Sequence, residues 1–281
     1  MSRDWRNFRG EIALFLSAFF FSLTALAVKA ASYYFSGTFI AFFRFGVEIV
    51  LCFALLFFMK RSFRVEDLGI WLLRGFFGAG SMVLYFVAIS LSSSGRATLL
   101  FNTYPLFVAL TGALFFGKKM NGGHLISLLL CGAGVWFVFH DKSDFAPLGD
   151  AMGLLSALFA GISIHFLQKS RKSNHTVIVY MAAAFFGFAF TAPSAENAGS
   201  LSWPLVTMLV GVGLVSLAGQ LLMSYGFKYI HPTRGSIIAY SSLPLTMGAS
   251  FIFFNEKYHP LFFLGTFLIA AGLLFNLSNK K

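Results

Sequence analysis

The hydrophobic pattern of this chain is blocky. Long apolar runs alternate with short polar links, and the runs contain almost no charge. Runs of about twenty residues suit α-helices crossing a hydrocarbon core roughly 30 Å thick. Ten are predicted, at 12–31, 38–59, 68–90, 97–116, 124–140, 148–168, 176–193, 204–227, 235–254 and 260–277. Helices are the expected form because lipid cannot satisfy open backbone groups, and the alternation of barrel strands is absent. The longest link, near Ser194 to Ser202, leaves no room for a soluble catalytic or regulatory domain. Arg3, Arg6 and Arg9 precede the first run, and Ala25-Leu26-Ala27 crudely resembles a signal-cleavage site. The run is longer than a signal peptide's apolar region, so it reads as a retained first helix.

Composition changes the picture only by exclusion. With 58% hydrophobic residues, 11% charged residues and 38 phenylalanines, the chain fits neither a soluble domain nor a disordered one. The net charge of +11 does not point to nucleic acid, because the basic residues cluster between apolar runs, where they encode topology. With the N-terminus inside, fifteen Lys and Arg fall in cytoplasmic segments. Arg96, Lys142 and Lys257 fall outside, and Lys29, Arg44 and Arg74 lie within runs. The expectation is a multi-pass protein of a cell (inner) membrane with both termini cytoplasmic. Trp5, Trp71, Trp136 and Trp203 lie near run ends, where an indole can stay amphipathic. Cys52 and Cys131 sit in apolar runs and read as small buried hydrophobes.

An internal repeat is visible. Gly10-Glu11 followed by Leu16-Ser17-Ala18 recurs as Gly149-Asp150 followed by Leu155-Ser156-Ala157. At nearly the same spacing Pro105 meets Pro244, and Ala133-Gly134 and Phe137 meet Ala271-Gly272 and Phe275. Two five-helix units, 1–141 and 142–281, follow. Five is odd, so the second unit enters from the opposite side. The expected fold class is all-α integral membrane, about ten transmembrane helices as two inverted five-helix repeats. Such repeats are a mark of secondary transporters.

The order of residues resembles the EamA family of the drug/metabolite transporter superfamily over nearly the whole chain. The resemblance rests on Phe42-Phe43-Arg44-Phe45, Leu73-Arg74-Gly75-Phe76, Gly95-Arg96-Ala97-Thr98-Leu99-Leu100 running to Pro105-Leu106, and Phe254-Asn255-Glu256. Gly117-Lys118 stands where a family glutamate would be expected in the first half, and Glu48 where an apolar residue is usual. The resemblance implies a ten-helix fold with a central pocket between the halves and the fifth and tenth spans peripheral. It also implies transport of amino acids or related metabolites, often as export.

Candidate mechanism residues come from polarity at depth. Pro105 and Pro244 lie well inside runs, and each removes an amide donor and frees the carbonyl four residues earlier. Asn102, Thr103 and Tyr104 flank one break; Tyr240, Ser241 and Ser242 flank the other. These groups either re-satisfy a kinked backbone or line a substrate pocket. Tyr85 and Gln220 are further polar candidates for substrate binding. Arg44 and Glu48, four apart, can share a face as a structural ion pair or serve proton coupling or a substrate carboxylate. Gly149, Gly153, Ala157 and Gly161 make a small-residue stripe that His165 continues, so His165 is expected to face protein, as a hydrogen-bonded group or a proton relay. Lys29 and Arg74, near span ends, are expected to snorkel. No nucleotide-binding loop, metal-ligand spacing or clustered nucleophile occurs, so neither an enzyme nor a cofactor is expected. The expected partners are a small-molecule substrate, the lipid bilayer and possible coupling protons. A lipid-carrier flippase of related architecture is the alternative.

Overall fold

The computed structural model describes residues 3–117, 122–140, 146–197 and 202–278. Lys118, Lys142 and the expected unit boundary at 141/142 lie outside them. Among the described residues the chain is helical, with no strands. The helices are α1 (Arg3–Ala31), α2 (Gly37–Phe58), α3 (Leu68–Leu91), α4 (Ser94–Phe101), α5 (Tyr104–Phe116) and α6 (Gly122–His140). After them come α7 (Pro147–Ser170), α8 (Thr176–Thr191), a short 3-10 turn at Ala192–Asn197, α9 (Trp203–Gly226), α10 (Pro232–Ala239), α11 (Ser242–Phe254) and α12 (Pro260–Ser278).

Local chemistry sets the helix starts. Ser36, Asp67 and Ser93 accept from backbone amides three residues on and begin α2, α3 and α4. The expected runs at 97–116 and 235–254 are each broken, at Asn102–Thr103 and at Tyr240–Ser241. Each break lies just before its proline, whose missing amide cannot continue the hydrogen-bond ladder. Among the described residues seven segments are long and apolar enough to cross a membrane: Asn7–Ala31, Gly37–Phe58, Leu68–Leu91, Ser94–Phe115, Pro147–Ser170, Thr176–Ala195 and Trp203–Gly226. The runs expected at 124–140, 235–254 and 260–277 contain the shorter apolar helices Leu129–His140, Ser242–Phe254 and Pro260–Gly272.

The packing is inside-out relative to a soluble protein. Phe57, Phe58, Ile252, Phe253 and Trp203 are exposed, whereas Arg44, Glu48, Arg74, Arg96, Asp150 and Glu256 are buried. An apolar exterior suits lipid, and buried charges must then find partners within the bundle.

Most large contacts join the first six helices to the last six. α3 packs on α7 and α9 on α1; α5 packs on α7 and α11 on α1; α4 meets α11 and α5 meets α10; α2 meets α8, and α6 meets α12. Exchanging α1–α6 for α7–α12 maps this set onto itself. α6 and α12 form a side pair that touches the rest only lightly. Their backbones approach closely at Gly134 and Gly265, where a Cβ on either would lie 2.6–2.7 Å from the other's carbonyl oxygen. The α7 stripe behaves similarly: Gly149 packs on Leu91 and Ser92, Gly153 on Leu100, and Gly161 on Phe107.

Two expectations need correction. Trp71 is buried rather than interfacial, and its indole N–H donates to the Ile178 carbonyl at 2.6 Å, tying α3 to α8. Arg96 is no loop charge. It is 1% exposed and makes a two-point ion pair with Asp150, at 2.7 and 2.6 Å, across the α4–α7 contact.

Candidate functional site

A cavity lies where α1, α3, the α4–α5 break, α7, α9 and the α10–α11 break converge. Its wall combines aromatic and sulfur-bearing side chains, among them Phe86, Phe101, Met82 and Met223, with a small set of polar groups. The helices supplying it are matched between the halves, α1 with α7 and α3 with α9. Among the described residues none from α2, α6, α8 or α12 lines it.

The two helix breaks face each other across this space. Ser242 Oγ donates to Asn102 Oδ1 at 3.3 Å, linking the second break to the first. Asn102 Nδ2 in turn donates to the Thr98 carbonyl at 2.8 Å, in the last turn of α4. Tyr85 from α3 shares a hydrogen bond of 2.7 Å with Thr98 Oγ1 and stacks on Phe101 at 4.5 Å between ring centroids. The polar groups around the first break therefore partly re-satisfy the chain and partly face the cavity. Among the described residues Gln220 from α9 makes a long 3.5 Å contact from Nε2 to Met82 Sδ, and its buried Oε1 has no partner.

The cavity thus gathers Tyr85, Asn102, Tyr104, Gln220 and Ser242 from the sequence candidates. Tyr240 and Ser241 lie outside the lining, with hydroxyls buried and without partners among the described residues. His165 also lies outside it. Its Nε2 donates to the Val108 carbonyl at 2.9 Å, across the α5–α7 contact. Pro105 is buried and Pro244 exposed, and neither belongs to the lining.

Arg44 and Glu48 pair at 3.0 Å and both are fully buried, behind the cavity wall. Tyr180 from α8 closes the cluster: its hydroxyl accepts from Arg44 Nη2 and donates to Glu48 Oε2. The Arg44 guanidinium also lies 4.7 and 5.0 Å from the Phe45 and Phe86 ring centroids. This is a largely satisfied ionic unit joining α2 to α8.

Sequence reasoning missed Arg74. Instead of snorkelling, it is 4% exposed and lines the cavity. Nη1 donates to Ser163 Oγ on α7 at 2.6 Å, and buried Nε has no partner among the described residues. Gly78, one turn on, makes the inward course possible, because a Cβ there would collide with the guanidinium. Glycine four residues after an arginine was the available signal. Lys29 also finds a protein partner, donating to the Ser92 carbonyl at 2.8 Å.

One end of the bundle is closed by a buried carboxylate. Asn255, in the left-handed region at φ 53°, ends α11 and turns the chain so that Glu256 points at the start of α4. Glu256 Oε1 accepts from the Ser94 amide at 2.7 Å and the Ser94 hydroxyl at 2.8 Å. Oε2 accepts from the Gly95 amide at 3.1 Å and the Tyr258 hydroxyl at 2.7 Å. These amides are among the orphan donors of a helix N-terminus, where negative charge is favoured. The Arg96–Asp150 pair lies immediately beside this contact in the chain.

Comparison with known proteins places this geometry. The sequence profile of the EamA-like transporter family matches residues 8–140 and again 147–278. The chain is 28% identical over 286 aligned positions to the pseudopaline exporter CntI of Pseudomonas aeruginosa, covering 97% of both chains. It is 26% identical to solute carrier family 35 member G1 of Mus musculus, over 80% of this chain and 65% of that protein. A solved crystal structure shares the fold at a TM-score of 0.69 and 17% identity, covering 97% of this chain and 99% of that one.

Proposed function

This chain belongs to the EamA-like transporter family, and from that premise we propose that it exports a small metabolite by alternating access through the central cavity. It is a multi-pass membrane transporter and not an enzyme. In our reading the broken helices α4–α5 and α10–α11 each cross the membrane as one unit. The chain then has ten spans in two five-span repeats of opposite orientation, 1–141 and 142–281, with both termini cytoplasmic in a cell inner membrane.

The observation that carries this reading is the composition of the cavity wall. It is drawn from matched helices of the two halves and from both helix breaks, which meet at Ser242 and Asn102. A site at such an interface can be exposed to either side as the halves exchange conformation. Export is supported by the relatives named as pseudopaline exporters; an amino acid or related compound as substrate, and proton coupling, belong to the same reading. Tyr85, Asn102, Tyr104, Gln220 and Ser242 are the substrate-facing polar groups. The Arg44–Glu48–Tyr180 cluster is assigned a structural role.

The test is efflux from proteoliposomes. Vesicles carrying purified protein are loaded with a mixed pool of amino acids and small metabolites, and release is followed by mass spectrometry with and without a pH gradient. Selective, protein-dependent release of one compound class is expected. Folded protein that releases nothing soluble, yet moves a lipid carrier between leaflets, would replace this reading with that of a flippase.

A further inference from the structure

We propose that Arg74 anchors the carboxylate of the transported compound, and that the cavity takes an amphipathic organic monoanion, one carboxylate on an apolar or aromatic body. This rests on the reading of the cavity as the transport site and adds its substrate class.

The four buried guanidinium groups have unlike partners. Arg44 meets Glu48, and Arg96 meets Asp150. Arg171, at the end of α7, donates to the backbone carbonyls of Ser224 and Asn174. Arg74 alone among these four faces the cavity, and its side-chain partner is a neutral hydroxyl, Ser163. Nε, a donor that is costly to bury unpaired, has no partner among the described residues.

Among the described residues no Asp or Glu lines the cavity. The acid Glu48 has its two oxygens engaged by Arg44 Nε and Tyr180. A lone arginine inside a bundle is expensive, and its natural complement is a ligand carboxylate, which a guanidinium binds through parallel N–H groups. Ser163 holds one edge of the fork in place, and Gly78 leaves the room it occupies. The remaining wall describes the rest of the ligand. Phe86, Phe101, Met82 and Met223 suit an apolar or aromatic body, and the free Oε1 of Gln220 suits an N–H beside the carboxylate. With one cation and no anion in the wall, one net negative charge is the best match. A site built around a charged hydrogen bond should reject the neutral analogue strongly.

The experiment uses a pool of matched pairs in proteoliposomes. N-acetylphenylalanine and N-acetylleucine, monoanions at neutral pH, are each co-loaded with their neutral carboxamides, the zwitterions phenylalanine and leucine are included for comparison, and efflux is read by mass spectrometry. Wild-type protein is expected to release at least one carboxylate about tenfold or more faster than its amide. Arg74→Gln should collapse that ratio to near one, and Arg74→Lys should keep part of it. Ser163→Ala, which leaves the charge but frees the fork, should also lower the ratio, so the test survives if Arg74→Gln does not fold. Equal release of acids and amides by wild-type protein would overturn the anchor while leaving transport intact. So would an undiminished ratio in a folded Arg74→Gln variant. Release of no pool member by folded protein would overturn the transport reading, and the anchor with it.

Discussion

The two halves carry matching ion pairs in unlike surroundings. The third residue of α4 is Arg96, which meets Asp150 in the first turn of α7. The third residue of α10 is Arg234, which meets Glu11 of α1. Glu11 and Asp150 are repeat equivalents, and each pair closes at 2.6 Å. Yet the Arg96 and Asp150 side chains are 2% and 0% exposed, whereas those of Arg234 and Glu11 are 59% and 29% exposed. The Arg96 end also has the Glu256 cap, and at the corresponding place in the first half the sequence has Lys118. One architecture therefore buries the charged pair of one half and leaves that of the other exposed. Unequal closure of this kind fits the alternating access proposed above.

The comparison breaks first at the ion pairs. Removing one member of a buried pair leaves a bare charge, at about 3–5 kcal/mol, while an exposed pair contributes roughly 0–1 kcal/mol. Arg96→Met should sharply lower the melting temperature of the purified protein, and Arg234→Met should barely move it. Equal shifts would mean that the two ends are not differently closed.

A smaller effect is expected at the cap. Glu256→Gln retains one acceptor oxygen but turns an amide N–H₂ toward helix N–H donors. Hydrogen bonds to charged groups contribute about 1.5–3 kcal/mol each. The closed end should loosen, read as faster alkylation of a Ser90→Cys probe in the recess Ser90 shares with Glu256. Background labelling is low because Cys52 and Cys131 are buried. Unchanged labelling would remove Glu256 as a latch.

The smallest effect lies at the start of α8. His175 caps that helix through Nδ1, which accepts from the Val177 amide at 3.4 Å. Burial, and then Arg61, Arg171 and Lys228, lower its pKa. The folded protein thus holds His175 neutral while the unfolded chain takes a proton near pH 6.5. Its contribution to stability is present above that pH and is lost as the pH falls below it, toward the lowered folded value. His175→Asn should flatten the melting temperature between pH 7 and pH 5. An unaltered slope would exclude this histidine as its source.

Much of this was legible in the sequence. The apolar runs located the helices, and Pro105 and Pro244 located both breaks within a few residues. The four-residue spacing of Arg44 and Glu48 foretold their pairing, since one turn brings such residues together. What was hidden depended on distant partners. Arg74 looked like a snorkelling charge because Ser163, which turns it inward, lies 89 positions away. Arg96 looked like a loop charge because Asp150 is 54 positions away. Tyr180, between Arg44 and Glu48, carries no sequence signal among so many aromatics. Local spacing reveals contacts within a helix; contacts between helices require the packing.

The most direct test of the central claim is to fill the cavity and measure flux. Ala160 on α7 lines it with a side chain small enough to leave space. Ala160→Phe should reach the membrane at wild-type abundance and release none of the compounds that wild-type proteoliposomes export. Full export by the folded variant would contradict the claim, because the substrate would then be crossing by a route other than this cavity.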